Sequence, residues 1–282
     1  MHTARPTLIL GGTGKTGRRV ASRLGARHLA VRIGSRVGDP PFDWTDRSTW
    51  PAAVAGVGAV YVTYVPDIAF PGAVEDIAAF ADLAVRSGVE RLVLLSGRGE
   101  DGALAGERAV QEAGAEWTVV RASWFAQNFS EHFLTDAIIG GELALPVGDV
   151  GEPFIDADDI ADVAVAALTT DDHVGRIHEV TGPRLLTFAD ATAEIAAASG
   201  RAIRFVAIPP DAFTTALVDA GLPVDEAIGI TGLFTTVLDG RNASVTDGVE
   251  AALGRPARDF TDWARSTAAT GVWTGAPMGV TS

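Results

Sequence analysis

An α/β protein with a doubly wound parallel sheet is predicted by three observations. A short apolar run, Leu8, Ile9 and Leu10, stops at a glycine cluster and gives way to a helical pattern with Val20 and Leu24 four residues apart. Apolar strand-like runs then alternate with helical stretches as far as about residue 122, the spacing of repeated βαβ units. The chain has 282 residues, enough to bury a core of that size.

Composition narrows the function classes. A net charge of −14 argues against nucleic acid as a partner, because phosphates ask for a basic face, and disfavours an anionic membrane surface. There is no cysteine, so disulfides, thiolate metal sites and cysteine nucleophiles are out. The five histidines lack ligand spacing, and no metal site is expected. Met1 to Pro6 carries no apolar core of signal-peptide length, and the mildly apolar stretch Ala52 to Val65 is broken by Gly56 and Gly58, so a cytoplasmic protein is expected.

The elements follow in order. The strand Leu8–Leu10 opens into Gly12, Gly14 and Gly17, a G-x-G-x-x-G spacing; Gly11, Gly14 and Gly17 also fit G-x-x-G-x-x-G. Glycine lets the backbone turn tightly against a pyrophosphate, and the helix from Lys15 points its first N–H groups at that anion. A Walker A loop would need glycine five residues before Gly14, where Ile9 stands, so the P-loop reading fails. His28 to Gly34 reads as a strand ending in Ser35-Arg36. No acid stands there to take a ribose hydroxyl, whereas Arg36 suits a 2′-phosphate, which favours NADP(H) over NAD(H).

A helix is expected over Arg47–Val54, a strand over Ala59–Val65, a helix over Pro71–Ser87 stopped by Gly88, a strand over Arg91–Leu95, a helix over Ala103–Ala113 and a strand over Trp117–Val120. Ligands gather outside the carboxyl ends of such strands. The expected site is therefore Gly11–Gly14, Ser35-Arg36, Tyr64–Pro66, Ser96–Gly99 and Ala122–Phe125. Beyond residue 122 one helix is expected over Phe125–Ile139, a strand at Leu143–Leu145, and a helix over Asp158–Leu168 with Asp158 as N-cap. A strand at His178–Thr181, a helix N-capped by Thr187, a strand at Ile203–Ile208 and helices over Asp211–Ala220 and Val224–Leu238 follow. The Gly-, Pro-, Thr- and Ser-rich tail from Gly271 is expected to fray.

Several stretches together resemble one family. Gly-Gly-Thr-Gly-Lys-Thr-Gly (11–17), Leu-Val-Leu-Leu-Ser (92–96), Trp-Thr-Val-Val-Arg-Ala-Ser-Trp-Phe-Ala-Gln-Asn-Phe (117–129) and Phe-Ile-Asp-Ala-Asp-Asp-Ile-Ala-Asp-Val (154–163) are similar to the NmrA-like proteins, atypical short-chain dehydrogenase/reductases. Val-Thr-Gly-Pro (180–183) with Leu186-Thr187-Phe188, and Gly-Arg-Pro-Ala-Arg-Asp-Phe (254–260), continue the likeness. The resemblance implies a Rossmann-type NADP-binding domain over residues 1–150. Residues 151–282 would be mainly a smaller α+β substrate region packed on it, with some return to the sheet. It implies an NADP(H)-dependent reductase, for which the lack of a Tyr-x-x-x-Lys pair favours quinones, enones or iminium ions, or else a non-catalytic NADP(H)-sensing regulator that binds a partner protein. The oligomeric state, monomer or homodimer, stays open.

One departure from the wider superfamily is informative. Lys15 is the only lysine and Tyr61 and Tyr64 are the only tyrosines, so no Tyr-x-x-x-Lys pair exists, and helix 103–113 holds neither residue. Hydride transfer asks the protein mainly to hold cofactor against substrate, and conjugated or cationic acceptors need a proton donor less than a ketone does. The cofactor is expected at Gly11, Thr13, Gly14, Lys15, Thr16, Gly17, Arg36, Tyr64, Ser96 and Gly97. Candidate proton donors are Tyr64, Ser96, Ser123, Glu131 and His132, and Trp124, Phe125 and Asn128 are candidates to line a pocket for a flat hydrophobic substrate.

Overall fold

The computed structural model describes residues 5–131 and 134–275. In chain order the first elements are β1 (Thr7–Leu10), α1 (Lys15–Ala26), β2 (Val31–Gly34), α2 (Trp50–Val54), β3 (Ala59–Val62), α3 (Ala73–Arg86), β4 (Arg91–Gly97), α4 (Asp101–Glu112) and β5 (Glu116–Ala122). Then come α5 (Leu134–Gly140), β6 (Glu142–Leu145), α6 (Ala157–Thr169), β7 (Arg176–Val180), α7 (Phe188–Ser199) and β8 (Arg204–Ala207). Four helices finish the chain: α8 (Pro210–Asp219), α9 (Val224–Val237), α10 (Gly248–Leu253) and α11 (Phe260–Ala269).

The chain divides into two compact units. One takes in the chain up to Ala122, Ala157–Val180 and Asp247–Pro256; the other takes in Ser123–Asp156, Thr181–Thr246 and the chain from Ala257. The expected division at residue 150 allowed for some return of the later chain to the sheet, and the two units interleave along the chain. The cause is strand order: β7 pairs with β5 as the last strand of the large sheet, so the chain must come back after leaving at Ser123.

In the first unit six parallel strands run in the order β2-β1-β3-β4-β5-β7. Strands covered on both faces read as continuous apolar runs, and Leu8, Ile9, Leu10, Val60, Leu92, Val93 and Leu94 are all shut off from water. On one side Phe42, Trp44, Trp50 and Phe80 pack edge to face. The second unit pairs β6 with β8 and buries Phe129, Phe154, Phe188, Phe260 and Trp263 as one aromatic core.

Several expectations are corrected. The single helix over Phe125–Ile139 is a 3-10 turn, Ala126–Phe129, followed by α5. The chain there is held by a parallel bridge to Ile155, with Ala126 N–H donating to the Ile155 carbonyl and Ile155 N–H to that of Trp124. Asp158 sits inside the first turn of α6 instead of capping it, and its carboxylate takes Arg19 and Arg23 of α1. The tail does not fray at its start: Trp273 is fully buried and its indole N–H donates to the Phe129 carbonyl, 2.9 Å. Thr187 does cap α7, in a reciprocal box with Asp190. Among the described residues no helix is long and apolar enough to cross a membrane.

Candidate dinucleotide and active site

The strand order creates the site. From β1 the chain crosses to β2 on one side and then to β3 on the other, which leaves a crevice at the carboxyl ends of β1 and β3. Gly11 leaves β1 with φ +59°, and Gly14 N–H closes the turn onto the Gly11 carbonyl, 2.8 Å. Thr63, following β3, donates its hydroxyl to the Leu10 carbonyl, 2.9 Å. A Cβ on Gly11 would lie 2.5 Å from that hydroxyl, and one on Gly12 would lie 2.8 Å from Ile33 Cγ2. A Cβ on Gly17 would overlap the Gly11 carbonyl oxygen and lie 2.8 Å from the Gly11 carbonyl carbon. So α1 begins hard against the turn, at a distance only glycine permits.

No side chain caps α1 at Gly14. The first N–H groups of a helix have no acceptors within the helix, so this end fits a phosphate of a dinucleotide. Thr13 and Gly14 are exposed, Lys15 opens the helix, and Thr16 and Gly17 are buried beneath it. Arg36 lies exposed just past β2. It adds to the pull on Asp43, whose carboxyl is kept below the usual range chiefly by the N–H and hydroxyl of Thr45. Arg32 is committed elsewhere, donating to the carbonyls of Ala53 (2.8 Å) and Ala55 (2.7 Å).

The two tyrosines are poor acids here. Tyr64 donates its hydroxyl to Asp76 Oδ2, 2.9 Å, and its ring rests on Trp44 with centroids 4.9 Å apart. Burial, and then the Asp76 carboxylate, push its phenol up to about 12. Tyr61 is fully buried in β3, and burial raises its phenol too.

Ser96, near the carboxyl end of β4, is buried and donates to Glu107 Oε1 at 2.6 Å. Glu107 lies on α4 with only 3% of its side chain exposed, and Arg121 of β5 grips both its oxygens, Nε to Oε1 at 2.8 Å and Nη2 to Oε2 at 2.6 Å. Arg121 also reaches Glu179 of β7, which holds Arg98 at 2.7 Å. The hydrogen bond with Glu107 raises the Arg121 guanidinium further. The single hydroxyl proton of Ser96 is therefore directed at a carboxylate, and toward any ligand its oxygen can only accept.

Beside Ser96, Gly97 makes room for the Glu100 carboxyl: a Cβ on Gly97 would lie 2.6 Å from Glu100 Oε2. Glu100 stands at the N-cap of α4 without capping it, and the negative charge of Asp67 in the β3–α3 loop acts on it. Burial, and then the neighbouring negative charge, push Glu100 up to about 9, and burial raises Asp67.

In the second unit, Ser123 is buried and donates to the Pro153 carbonyl, 2.6 Å. Trp124 packs on Phe234 and Phe188, with centroids 4.9 and 6.0 Å apart. Its indole N–H is buried and has no hydrogen-bond partner among the described residues. Phe125 and Asn128 are half-buried in the same segment, and Gln127 between them donates to Asp156, 2.7 Å. Glu131 follows, half-buried, and His132 lies outside the described residues. A groove of about 620 Å³ between α8 and α9 is lined by Thr214, Val218, Ile228 and Thr231, and none of the expected pocket residues borders it.

Among the described residues no three metal-ligating side chains come together; Asp158, Asp159 and Asp162 face arginines instead. The residues that sequence reasoning missed are Asp67, Glu100, Glu107 and Arg121. Glu107 carried a signal: it falls on the buried face of α4 with Ala103, Gly106 and Val110, where an apolar residue belongs.

No protein-family model matches the chain. It is 34% identical to an uncharacterized oxidoreductase, YesF, of Bacillus subtilis over 97% of this chain and all of the other. It is likewise 34% identical to an NAD(P)H azoreductase of Xenophilus azovorans, over 93% of this chain and 98% of that one. Among solved structures, the NADPH-dependent quinone oxidoreductase QOR2 of Escherichia coli, complexed with NADPH, shares the fold with a TM-score of 0.74 at 18% identity, covering 92% of this chain and 99% of that chain. With its glycine turn at the β1 carboxyl end, the chain belongs to the NmrA-like atypical short-chain dehydrogenase/reductases, an oxidoreductase family built on an NAD(P)-binding Rossmann-type fold.

Proposed function

We propose that this protein is an NADP(H)-dependent reductase of small hydrophobic conjugated acceptors, of quinone, enone or iminium type, working without a Tyr-x-x-x-Lys pair. The observation that carries the reading is the polarity of Ser96. A ketone reductase needs a donor aimed at the carbonyl oxygen, and the Ser96 hydroxyl donates to Glu107 while the Tyr64 hydroxyl donates to Asp76. Acceptors that delocalise or already carry charge ask for less help of that kind. The kinship with an NAD(P)H azoreductase, whose name denotes a conjugated acceptor, supports the same class.

The Gly11–Gly17 turn and the first turn of α1 would hold the pyrophosphate, and Arg36 would face the adenosine ribose and its 2′-phosphate. When bound, reduced nicotinamide supplies the hydride. Ser96 would accept a hydrogen bond from the cofactor or the acceptor, and Trp124, Phe125 and Asn128 would contribute apolar surface and an amide to the substrate.

Purified protein mixed with NADPH and a panel of quinones, enones and iminium salts should consume NADPH, followed by its absorbance. NADPH binding without turnover on every member of the panel would instead favour a cofactor-sensing protein. Arg36→Ala is expected to weaken NADPH binding by roughly tenfold or more, the worth of a charged hydrogen bond, and to leave NADH binding unchanged. Equal losses for the two would remove Arg36 as the discriminator.

A further inference from the structure

The second unit holds a groove that the reductase reading does not use. Its two walls, α8 and α9, are fixed to each other in two places. The rings of Phe213 and Phe234 meet with centroids 5.3 Å apart, and the hydroxyls of Thr214 and Thr231 meet at 2.8 Å. Phe213, Leu217, Ala227 and Phe234 are buried, so the inward faces are taken up by the core. The groove encloses about 620 Å³, inside the range of roughly 300–1,000 Å³ found for small-molecule sites. Val218 and Ile228 supply apolar wall, and Ile228 leaves 56% of its surface exposed. Gly232 leaves space between them and the end of α9, since a Cβ there would meet nothing within 4 Å.

The polar groups of the lining all have one sense. Thr215 donates to the Asp211 carbonyl (2.9 Å), Thr231 to the Ala227 carbonyl (2.9 Å) and Thr235 to the Gly232 carbonyl (3.1 Å). With the Thr231 proton so directed, Thr214 has the Thr231 oxygen and the Pro210 carbonyl, at 3.2 Å, to receive its own. Such back-bonding to the preceding turn leaves threonine to present a methyl group and oxygen lone pairs. Pro210 opens α8 without an N–H, and Asp211 sets a carboxylate on the same turn, so this helix end is no anion site. The Asp211 carboxylate has no ion pair or hydrogen bond among the described residues, and no basic residue lines the groove. Across residues 205–240 the charged groups are Asp211, Asp219, Asp225, Glu226 and Asp239. The arginines on either side are engaged, Arg204 with Glu142 and Arg241 with Asp239.

We propose that the groove between α8 and α9 binds a lipophilic organic cation. Asp211 is its counter-charge, and Val218, Ile228 and the threonine methyls are its apolar bed. An anion would meet only lone pairs and a carboxylate, and a neutral body would gain the apolar contact alone. A second copy of this chain would bring the same uncompensated acids to the face. The groove holds its cation whether or not the protein reduces a substrate.

Calorimetric titration of the full chain with tetraphenylphosphonium, triphenylphosphine oxide and tetraphenylborate compares a cation, a neutral molecule and an anion of similar apolar body. The cation should bind at one site per chain, severalfold more tightly than the neutral probe, with the anion weakest. Asp211→Asn should weaken the cation about three- to fivefold, the worth of a partly exposed ion pair, and leave the neutral probe unchanged. Asp219→Asn makes the same change of charge on α8 outside the lining and should have no effect. Gly232→Leu should fill the groove and weaken the cation by at least about tenfold with Tm maintained, because the added Cβ meets no atom. Should that variant fail to fold, the exposed Asp211→Asn still decides. No binding of the cation, equal binding of the three probes, or equal losses in Asp211→Asn and Asp219→Asn would overturn the proposal. So would undiminished binding in a folded Gly232→Leu protein. A dimer in sedimentation that Ile228→Glu splits, without cation binding, would give the face to a second copy and overturn it likewise.

Discussion

Two glycines on one helix are expected to respond in opposite directions to the same added methyl group. Gly17→Ala places a Cβ on the Gly11 carbonyl oxygen, 2.8 Å from the Gly11 carbonyl carbon and 2.9 Å from Gly12 Cα. All three are backbone atoms of the turn, so no flexible side chain can yield. Overpacking of this kind costs about 1–3 kcal/mol, and the helix preference of alanine over glycine returns at most about 1 kcal/mol. The net loss of up to about 2 kcal/mol should be accompanied by a cofactor affinity at least tenfold weaker, because the displaced turn is the proposed phosphate cradle. Gly25→Ala meets nothing within 4 Å on the exposed side of α1, and should gain about 0.5–1 kcal/mol with cofactor binding intact. Urea unfolding and NADPH titration by fluorescence read both quantities. Wild-type stability and affinity in Gly17→Ala would refute the close approach on which the dinucleotide site is built.

Three further outcomes follow from buried groups. Arg121→Met strands the Glu107 carboxylate in the core and should cost about 3–5 kcal/mol in urea unfolding, with much of it recovered when Glu107→Gln is added. His173 and His178 share a 3.0 Å hydrogen bond between ring nitrogens, and burial holds His178 down to about 4. The fold thus binds fewer protons than the unfolded chain, so its stabilisation is complete above about pH 6.5 and is lost as the pH falls toward 4. His178→Phe should flatten the stability profile in that window, and an unchanged profile would show that the pair is not its cause. Trp273→Ala should cost about 3–5 kcal/mol in a thermal or urea melt, whereas a freely fraying tail would register nothing.

Much of the dinucleotide half was legible in the sequence. Leu8–Gly17 carries strand, turn and helix within ten residues, and each feature depends on local geometry: an apolar run, a residue at φ +59° and a helix that starts against backbone. The caps at Gly88 and Thr187 are local in the same way. The absence of a Tyr-x-x-x-Lys pair is likewise a fact of the sequence, because one lysine and two tyrosines leave no arrangement to find.

What only the tertiary structure decided is which polar groups meet across the sheet. Ser96, Glu107 and Arg121 come from β4, α4 and β5; pairing of this kind leaves no periodic trace in the chain. The helix expected over Phe125–Ile139 failed for the same reason, since a bridge to Ile155, thirty residues on, outweighs local helical preference. Trp273 lies in a stretch composed like a loose tail, yet a hydrogen bond to Phe129 and a place in an aromatic core bind it. Local dihedral and spacing rules therefore point to a nicotinamide dinucleotide, while the orientation of the polar groups at the strand ends depends on partners brought from afar by the fold.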